Sequence, residues 1–577
     1  MPKIIPRTYL DATAQRLADA GIAPLLARIY AARGIIDKAQ LETGLNRLLP
    51  FTQLKNAQQM AVLLADAIAA QRKIMIVADY DADGATACAV ALRGLRTFGA
   101  RVDFIVPNRF EYGYGLTPEI VRLAAQSSPD ILLTVDNGIA SVEGVAEANR
   151  LGMQVLITDH HLPGDVMPDA LCIVNPNQPG CDFSSKNLAG VGVIFYVLLA
   201  LRAELRSRGA FGEASPIPSP TNGRGEPNLG SLLDIVALGT VADVVKLDEN
   251  NRILVQQGLQ RIRAGRACCG INALLQVARK QAAQASAYEL GFVIGPRLNA
   301  AGRLEDMGLG IQCLLADDPA EAAEIAAKLD ALNRERRSIE ADMQQAALAA
   351  LEHINPADSS SLAMFDATWH QGVTGILASR LKDKFHRPTI IFARSSDGEI
   401  KGSGRSIHGL HLRDALDLLS KRHPHLLQKF GGHAMSAGVS IREEHFGEFE
   451  SVFEAIAQEL LSPTDLTKLI ETDGALAQED FSLDIARGLE QQVWGQGFPQ
   501  PLFEGEFKVQ SQRVVGEKHL KLKLTTHNGT HEAMRFFSAD PMPEHIRAAY
   551  KLALNEYNGT TTLQLIIEHW EDIPSGS

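Results

Sequence analysis

The stretch KIMIVADYDADG, residues 73–84, begins with six residues suited to a strand buried on both faces and ends on three carboxylates, Asp79, Asp81 and Asp83, beside Gly84. ATACAVALRGLRTFG (85–99) then carries small and apolar residues at helical spacing, and RVDFIVP (101–107) returns to strand. Strand, acidic turn, helix and strand make a β-α-β unit. Outward from it the alternation continues through DILLTV (130–135), a helix over Ser141 to Leu151, QVLIT (154–158) and LCIVN (171–175). Strands apolar throughout belong to a parallel sheet covered by helices, so the fold class is α/β.

Three carboxylates this close repel one another unless a cation or hydrogen-bond donors neutralise them. D-x-D-x-D-G also opens a calcium loop, but Val90 stands where a bidentate Glu is required and a strand precedes instead of a helix, which excludes the EF-hand. Asp136 follows the second long strand in VDNG (135–138), and Asp159, His160 and His161 follow the next in ITDHHLP (157–163). The carboxyl ends of parallel strands share one edge, where ligands bind, so these residues converge on one crevice. Asp243 in GTVADVV (239–245) is a further candidate. Mixed carboxylate and imidazole ligands suit manganese, magnesium or iron better than structural zinc, and a carboxylate bridging two such ions fits phosphoester hydrolysis.

The chain has 577 residues, enough for roughly three to four compact units at about 150 residues each. Hydrophobic residues are 46% and charged residues 21%, ordinary globular usage that excludes global disorder. No apolar run reaches the 18 or so residues of a membrane span, and MPKIIPRTYLDATAQ (1–15) lacks the apolar core of a signal peptide, so a cytoplasmic protein is expected. Six cysteines with irregular spacing and no C-x-x-C pair frame neither disulfides nor a zinc site, and they read as reduced, mostly buried thiols. A net charge of −12 argues against a generally basic surface, but not against a local groove for a phosphate chain.

Residues 1–55 read as an N-terminal extension and 56–316 as the α/β domain, with a Pro-, Gly- and Ser-rich flexible insertion over 206–229. Apolar positions recur every three to four residues through 317–353, the pattern of one long helix linking two lobes. A second, smaller α/β lobe spans 354–460, with a helix around Gly375 to Lys384 and the glycine-rich stretches GSGRSIHG (402–409) and GGHAMSAG (431–438). From 461 to 577 the texture is β-rich, with Asn528-Gly529 and Asn558-Gly559 between alternating runs, which suggests a small barrel of the OB type.

DYDADG, VDNG, Asp159-His160-His161 and Asp243 occur in the order of the DHH phosphoesterase family, which this sequence resembles. GGHAMSAG resembles the family's associated C-terminal subdomain, and the β-rich end resembles the OB domain of the branch that digests single-stranded DNA. The resemblance implies two divalent ions, Mn2+ or Mg2+. Asp81 would ligate one and Asp83 the other, Asp136 would bridge them, and His160 and Asp243 would complete the second site. His161 would stand near the scissile phosphate, with Asp79 and Asp159 orienting the ligands and imidazoles. The implied chemistry is in-line attack on phosphorus by a metal-activated water.

A phosphodiester needs cations and amide donors opposite the metals. PNRFEYGYG (107–115) offers Arg109 and Tyr114, a mixture suited to phosphate contact and base stacking. GPRLNAAGRLEDM (295–307) offers Arg297, Asn299 and Arg303, and the glycine-rich stretches offer Ser403, Arg405, Gly431, Gly432 and His433. By resemblance, Arg109, Arg303, Ser403 and Arg405 look like a 5′-phosphate recognition set and the His433 loop like a nucleotide clamp. Lys508, Arg513, Lys518, Lys521 and Lys523 concentrate charge on β segments of the barrel, with Lys521 and Lys523 on one strand face, a plausible track for a single strand.

The implied activity is a 5′-to-3′ exonuclease that degrades single-stranded DNA to mononucleotides in repair and recombination, in a channel between the lobes too narrow for duplex. Implied partners are single-stranded DNA, the single-strand-binding protein and a RecQ-type helicase, and the default is a monomer. Two rivals stand beside this reading. One is a relative acting on short oligonucleotides, cyclic dinucleotides or pyrophosphate, which would need no OB barrel. The other is a non-catalytic single-strand-binding scaffold, for which the full set of acidic and histidine residues has no use.

Overall fold

The computed structural model describes residues 2–107, 115–211, 226–351, 359–395, 398–526, 529–557 and 559–573. Strands are numbered in chain order from β1 (Lys3–Pro6). The first sheet comprises β2 (Lys73–Ala78), β3 (Arg101–Ile105), β4 (Ile131–Val135), β5 (Gln154–Thr158) and β6 (Cys172–Val174). Its order is β3-β2-β4-β5-β6 and every pairing is parallel. The lack of polar alternation in β2 follows from its surroundings: Ile74, Ile76 and Ala78 enter one core and Met75 and Val77 another, on the opposite face. β3 lies on one side of β2 and β4 on the other, so the connections diverge after β2 and leave a crevice at the carboxyl ends of β2 and β4.

The helix Gly190–Ser207 packs on this sheet and carries Val191, Ile194 and Leu198 into the main core. Of the insertion expected over 206–229, residues 212–225 lie outside the described residues. Ser207 still belongs to the helix, and Leu229 and Leu232 are buried, because a short 3-10 turn there leads directly into the apolar helix Leu233–Ala242.

One helix, Pro319–Ala350, spans both lobes, and the Asp318 carboxylate caps its first turn by accepting the Ala320 N–H at 2.7 Å. Ala322, Ile325, Ala326 and Leu329 pack into the first lobe's core, and Met343 and Ala347 pack into the second lobe's, with Trp369, Val373 and Leu377. The second sheet has the order β10-β11-β9-β8-β7, formed from β7 (Leu362–Asp366), β8 (Thr389–Arg394), β9 (Glu399–Arg405), β10 (Lys429–Gly432) and β11 (Ser436–Arg442). Only β7 and β8 pair in parallel; the rest is antiparallel. The glycine-rich stretches therefore lie largely in strands. A side chain at Gly402 would lie 2.6 Å from the Phe392 ring, so glycine there permits close packing.

The C-terminal domain is a closed barrel in the order β13-β14-β15-β17-β16, the connectivity of an OB fold, built from β13 (Phe503–Val515), β14 (His519–Thr526), β15 (Gly529–Arg535), β16 (His545–Tyr557) and β17 (Thr560–Asp572). The N-terminal extension fastens it to the first lobe. β1 pairs in parallel with β12 (Leu469–Thr472), and Arg33 donates to both oxygens of Asp473 at 2.6 and 3.0 Å with each side chain 1% exposed. Tyr30 stacks with Trp494 and Phe498 beside that pair. Among the described residues no helix is long and apolar enough to cross a membrane, and all six cysteines are free.

Candidate metal centre

Asp79 directly follows β2, and the next residues turn at once into the helix Ala82–Thr97. Asp81 is the helix's N-cap, its Oδ1 accepting the N–H groups of Asp83 at 2.9 Å and Gly84 at 3.0 Å. Asp83 is buried and meets the start of another helix, accepting the Gly190 N–H at 2.5 Å and the Val191 N–H at 3.0 Å. An N-terminal pair of amides is a natural seat for a carboxylate. Burial and the neighbouring Asp81 charge nevertheless push Asp83 up to about 7.

Asp136 follows β4 with φ of 64°, a left-handed conformation that a non-glycine residue adopts only under constraint. Its N–H donates to Thr158 O at 3.0 Å, and the Asn137 amide donates to Val77 O at 3.1 Å and Val135 O at 3.0 Å, tying the ends of β2 and β4 together. Asp243 caps the end of the helix Leu233–Ala242, and Val244 after it is also left-handed, at φ of 61°. Burial, then the crowd of like charges, raises Asp79, Asp136 and Asp243 well above the ordinary carboxylate range.

Asp159 is the orienting residue of the histidine pair. Its Oδ1 accepts the backbone N–H groups of His160 at 2.7 Å and His161 at 3.1 Å and contacts His161 Nδ1 at 2.7 Å, and its Oδ2 accepts the Ile139 N–H at 2.9 Å. Burial acts to raise Asp159, but the His161 hydrogen bond and the imidazole charges outweigh it and hold it low. The same contacts outweigh burial at His161 and lift it to about 9. Burial and the His161 charge push His160 down to about 4, the condition of a neutral ligand.

His160 Nε2 lies 3.1 Å from Asp136 Oδ1, 3.5 Å from Asp243 Oδ2 and 3.9 Å from Asp83 Oδ2. Although buried, neither His160 Nε2 nor Asp136 Oδ1 makes a hydrogen bond. Ligand atoms of Asp136, His160 and His161, of Asp83, His160 and Asp243, and of Asp79, Asp81 and Asp136 form three sets, each within 4.8 Å. Orphaned buried polar atoms facing a carboxylate cluster fit divalent cations, which would satisfy them and offset the repulsion. Asp79, expected only to orient ligands, falls within a ligand set, because its position at the strand end brings it to Asp136 as well as Asp81.

The second lobe faces this cluster. His433 is depressed by burial and then by the charge of His161, so its turn lies within electrostatic reach of the histidine pair. Its N–H donates to Ser436 O at 2.7 Å, and Gly432, at φ of 144°, sits where a Cβ would come within 2.5 Å of Ala437 Cα, whereas Gly431 has open space around it. Arg303, Ser403 and Arg405 arrive from two segments at the first turn of one helix, Gln371–Phe385. Arg303 donates to Gly372 O at 2.9 Å, and the Thr374 hydroxyl donates to Ser403 Oγ at 3.0 Å. A Cβ on Gly375 would lie 3.1 Å from Arg405 Nη2. Arg405, its pKa lowered by burial, lines a cavity of about 240 Å³ with Ser379 and Arg380. Thr374, the amides of this turn, Gly190 and Val191 stand in no motif of the sequence, whereas Asn137 lies within VDNG but carries no chemistry that singles it out there.

Two expected substrate residues also make contacts within the protein. Arg297 pairs with Asp330 on the long helix at 2.8 Å and donates to Val293 O at 2.6 Å. Asn299 Oδ1 accepts the Ala82 N–H at 2.9 Å and so braces the acidic turn. Both contacts arise because their helix, Gly295–Leu304, is wedged between the long helix and the Asp81 turn. Arg109 and Tyr114 lie outside the described residues. On the barrel, Lys508 pairs with Glu544 at 3.1 Å and Lys521 with Glu532 at 2.9 Å, while Arg513, Lys518 and Lys523 are exposed. Arg513 stands opposite Lys521 across the β13–β14 ladder, a like-charge pairing that an anion would relieve.

Sheet order, acidic edge and facing lobe together define a phosphoesterase of the DHH class. Family models agree: DHH family, N-terminal domain over residues 73–240, DHHA1 domain over 358–459 and RecJ OB domain over 472–569. The single-stranded-DNA-specific exonuclease RecJ of Dickeya dadantii is 49% identical, over 94% of this chain and 95% of its own. That of Escherichia coli is 46% identical over 98% of both. The crystal structure of RecJ in complex with Mn2+ from Thermus thermophilus matches with a TM-score of 0.81 at 29% identity, covering 99% of this chain and 79% of that one. The chain belongs to the RecJ family of single-stranded-DNA-specific exonucleases.

Proposed function

We propose that this exonuclease removes mononucleotides stepwise from the 5′ end of single-stranded DNA, in repair and recombination, with two Mn2+ or Mg2+ ions as cofactors. The observation that carries the catalytic reading is the pair of orphaned buried atoms, His160 Nε2 and Asp136 Oδ1, within a cluster of carboxylates. Asp79 and Asp81 would hold one ion and Asp83, His160 and Asp243 the other, with Asp136 shared. When bound, the ions supply Lewis acidity toward the phosphodiester and an acidified water nucleophile. Asp159 fixes the His161 ring so that it can donate to a phosphoryl oxygen where charge builds.

Polarity is supported by the turn where Arg303, Ser403 and Arg405 meet. A helix N-terminus with a buried guanidinium suits a terminal phosphate, and placing the 5′ phosphate there presents the next linkage to the metals. Arg109 and Tyr114 complete this subsite in the proposal, Gly431, Gly432 and His433 close over the first nucleotide, and Arg513, Lys518 and Lys523, with Lys508 and Lys521 once freed from their carboxylates, guide the strand across the barrel. The protein is proposed to act as a cytoplasmic monomer on strands supplied by a RecQ-type helicase and coated by single-strand-binding protein.

The test is digestion of a 3′-labelled single strand with Mn2+ by wild type and Asp136→Ala. A descending ladder made only by the wild type is expected. Labelled mononucleotide appearing first would reverse the proposed polarity, and an equal ladder from both proteins would remove Asp136 from the site.

A further inference from the structure

A second cavity, also about 240 Å³, lies at the joint of three parts of the chain. The N-terminal extension contributes Tyr30, the helix Glu249–Arg263 contributes Arg252, Gln256 and Arg263, and residues 491–498, which lead into the barrel, contribute Gln491 and Phe498. No carboxylate lines it among the described residues. Arg252 and Arg263 stand eleven residues apart on one helix, which is close to three turns, so they share a face with their Cα atoms about 16 Å apart. The cavity therefore runs along the helix with a guanidinium toward each end and Gln256 between them.

Among the described residues neither guanidinium forms an ion pair. Arg252, 8% exposed, donates to Leu247 O at 3.2 Å and Gln40 O at 2.8 Å and covers the Phe498 ring, 4.4 Å from its centroid. Arg263 is half-buried and donates from Nε to Ala285 O at 2.7 Å, which leaves both its Nη groups without a partner among the described residues. The carboxylates whose charge reaches these two are held by others: Glu249 by Arg47 at 3.6 Å, Asp248 by Ser185 at 2.8 Å and Asn187 at 3.0 Å, and Glu289 by Lys280 at 3.4 Å. Burial lowers both guanidiniums, the mark of positive charge that nothing in the protein neutralises. The Gln256 and Gln491 side-chain amides likewise make no hydrogen bond among the described residues.

We infer that this cavity binds a small phosphomonoester of nucleotide size, its phosphate on the free Nη groups of Arg263 and its organic part along Gln256 and Gln491 toward Phe498 and Arg252. A guanidinium with both Nη groups open is a ready fork for phosphate. The two amides offer donors and acceptors to a heterocycle, and Arg252 at the deep end offers a donor to a keto oxygen. A few convergent polar groups against an apolar wall make up a small-molecule site. Because the ligand touches three parts of the chain at once, it reinforces the joint that Arg33, Asp473 and the Tyr30 stack already make. A mononucleotide released by the enzyme and a nucleotide of the cellular pool share this chemistry.

The test titrates the full chain in EDTA with dAMP, AMP and inorganic phosphate by calorimetry, in an Arg405→Ala background that removes the terminal-phosphate subsite beside the metal centre. One nucleotide per chain should bind, and Arg263→Gln should weaken it about tenfold or more. Gln491→Trp, at the exposed rim, fills the mouth without touching a buried charge and should block binding as well, and melting temperatures that rise with nucleotide in the parent but not in Gln491→Trp separate occupancy from misfolding. Tighter binding of dAMP than of AMP assigns the site to the enzyme's own product, whereas equal or tighter binding of AMP assigns it to the ribonucleotide pool; both uphold the site. Absence of nucleotide binding in the Arg405→Ala background, an affinity that neither Arg263→Gln nor Gln491→Trp changes, or inorganic phosphate binding as tightly as either nucleotide would overturn the inference. Because no cleavage is read, none of these results bears on the nuclease reading.

Discussion

Replacing Gly190 by Ala should damage catalysis out of proportion to one methyl group. The added Cβ would lie 2.5 Å from both Cβ and Oδ1 of Asp136, roughly 0.9 Å inside ordinary contact. Neither side can yield easily. Gly190 is held by its N–H bond to Asp83 at 2.5 Å, and Asp136 is fixed in a left-handed conformation by the Thr158 carbonyl. A displacement near 1 Å at reacting groups costs about a hundredfold in rate, and overpacking of this kind costs about 1–3 kcal/mol in stability. Helix propensity alone pulls the other way, since Ala is favoured over Gly in a helix by up to about 1 kcal/mol, so the sign of the stability change decides between the two. The assay is single-turnover digestion of a labelled strand across a Mn2+ titration, with thermal melts of the same preparations. The expected result is a rate about a hundredfold lower, weaker metal dependence and a lower melting temperature. A variant within threefold of wild type that melts at the same or a higher temperature would refute the close-approach argument.

Asp473→Ala strands the Arg33 guanidinium, 1% exposed, without its counter-ion, and should cost about 3–5 kcal/mol and loosen the barrel. Denaturant unfolding and limited proteolysis read it, and a loss below about 1 kcal/mol would show the pair idle. Val244→Gly should gain about 1 kcal/mol by removing a left-handed β-branched residue at φ of 61°. Because Val244 is 63% exposed, little burial is lost, and an unchanged or lower melting temperature would count against stored strain. Asp83, about 7 in the folded metal-free protein against 3.8 ordinarily, favours the folded state at low pH and loses that contribution as pH climbs through about 7, and the raised Asp79, Asp136 and Asp243 act in the same direction. Melting temperatures in EDTA should therefore fall from about pH 4 to 7 while the gain on adding Mn2+ grows over the same window, and a gain independent of pH would contradict the carboxylate cluster as its source.

The acidic edge was legible in the sequence because its logic is local. A strand apolar on both faces must be central, and the residues that follow it must emerge at the carboxyl edge, so Asp79, Asp136 and Asp159 could be assigned to one crevice from spacing alone. The long helix and the barrel were legible for the same reason, through periodicity and Asn-Gly turns. Other features depend on which distant segment arrives within 3 Å, and nothing in a residue's neighbours along the chain encodes that. Arg297 and Arg303 lie on the same helix, yet one is spent on Asp330 while the other reaches Gly372. β1 finds its partner in β12, across most of the chain. Patterning along the chain therefore determined which elements form and where the carboxylates emerge, whereas packing between the lobes decided which side chains are already paired and which remain available to a substrate, because hydrogen bonds and ion pairs act only over the few ångströms that tertiary contact creates.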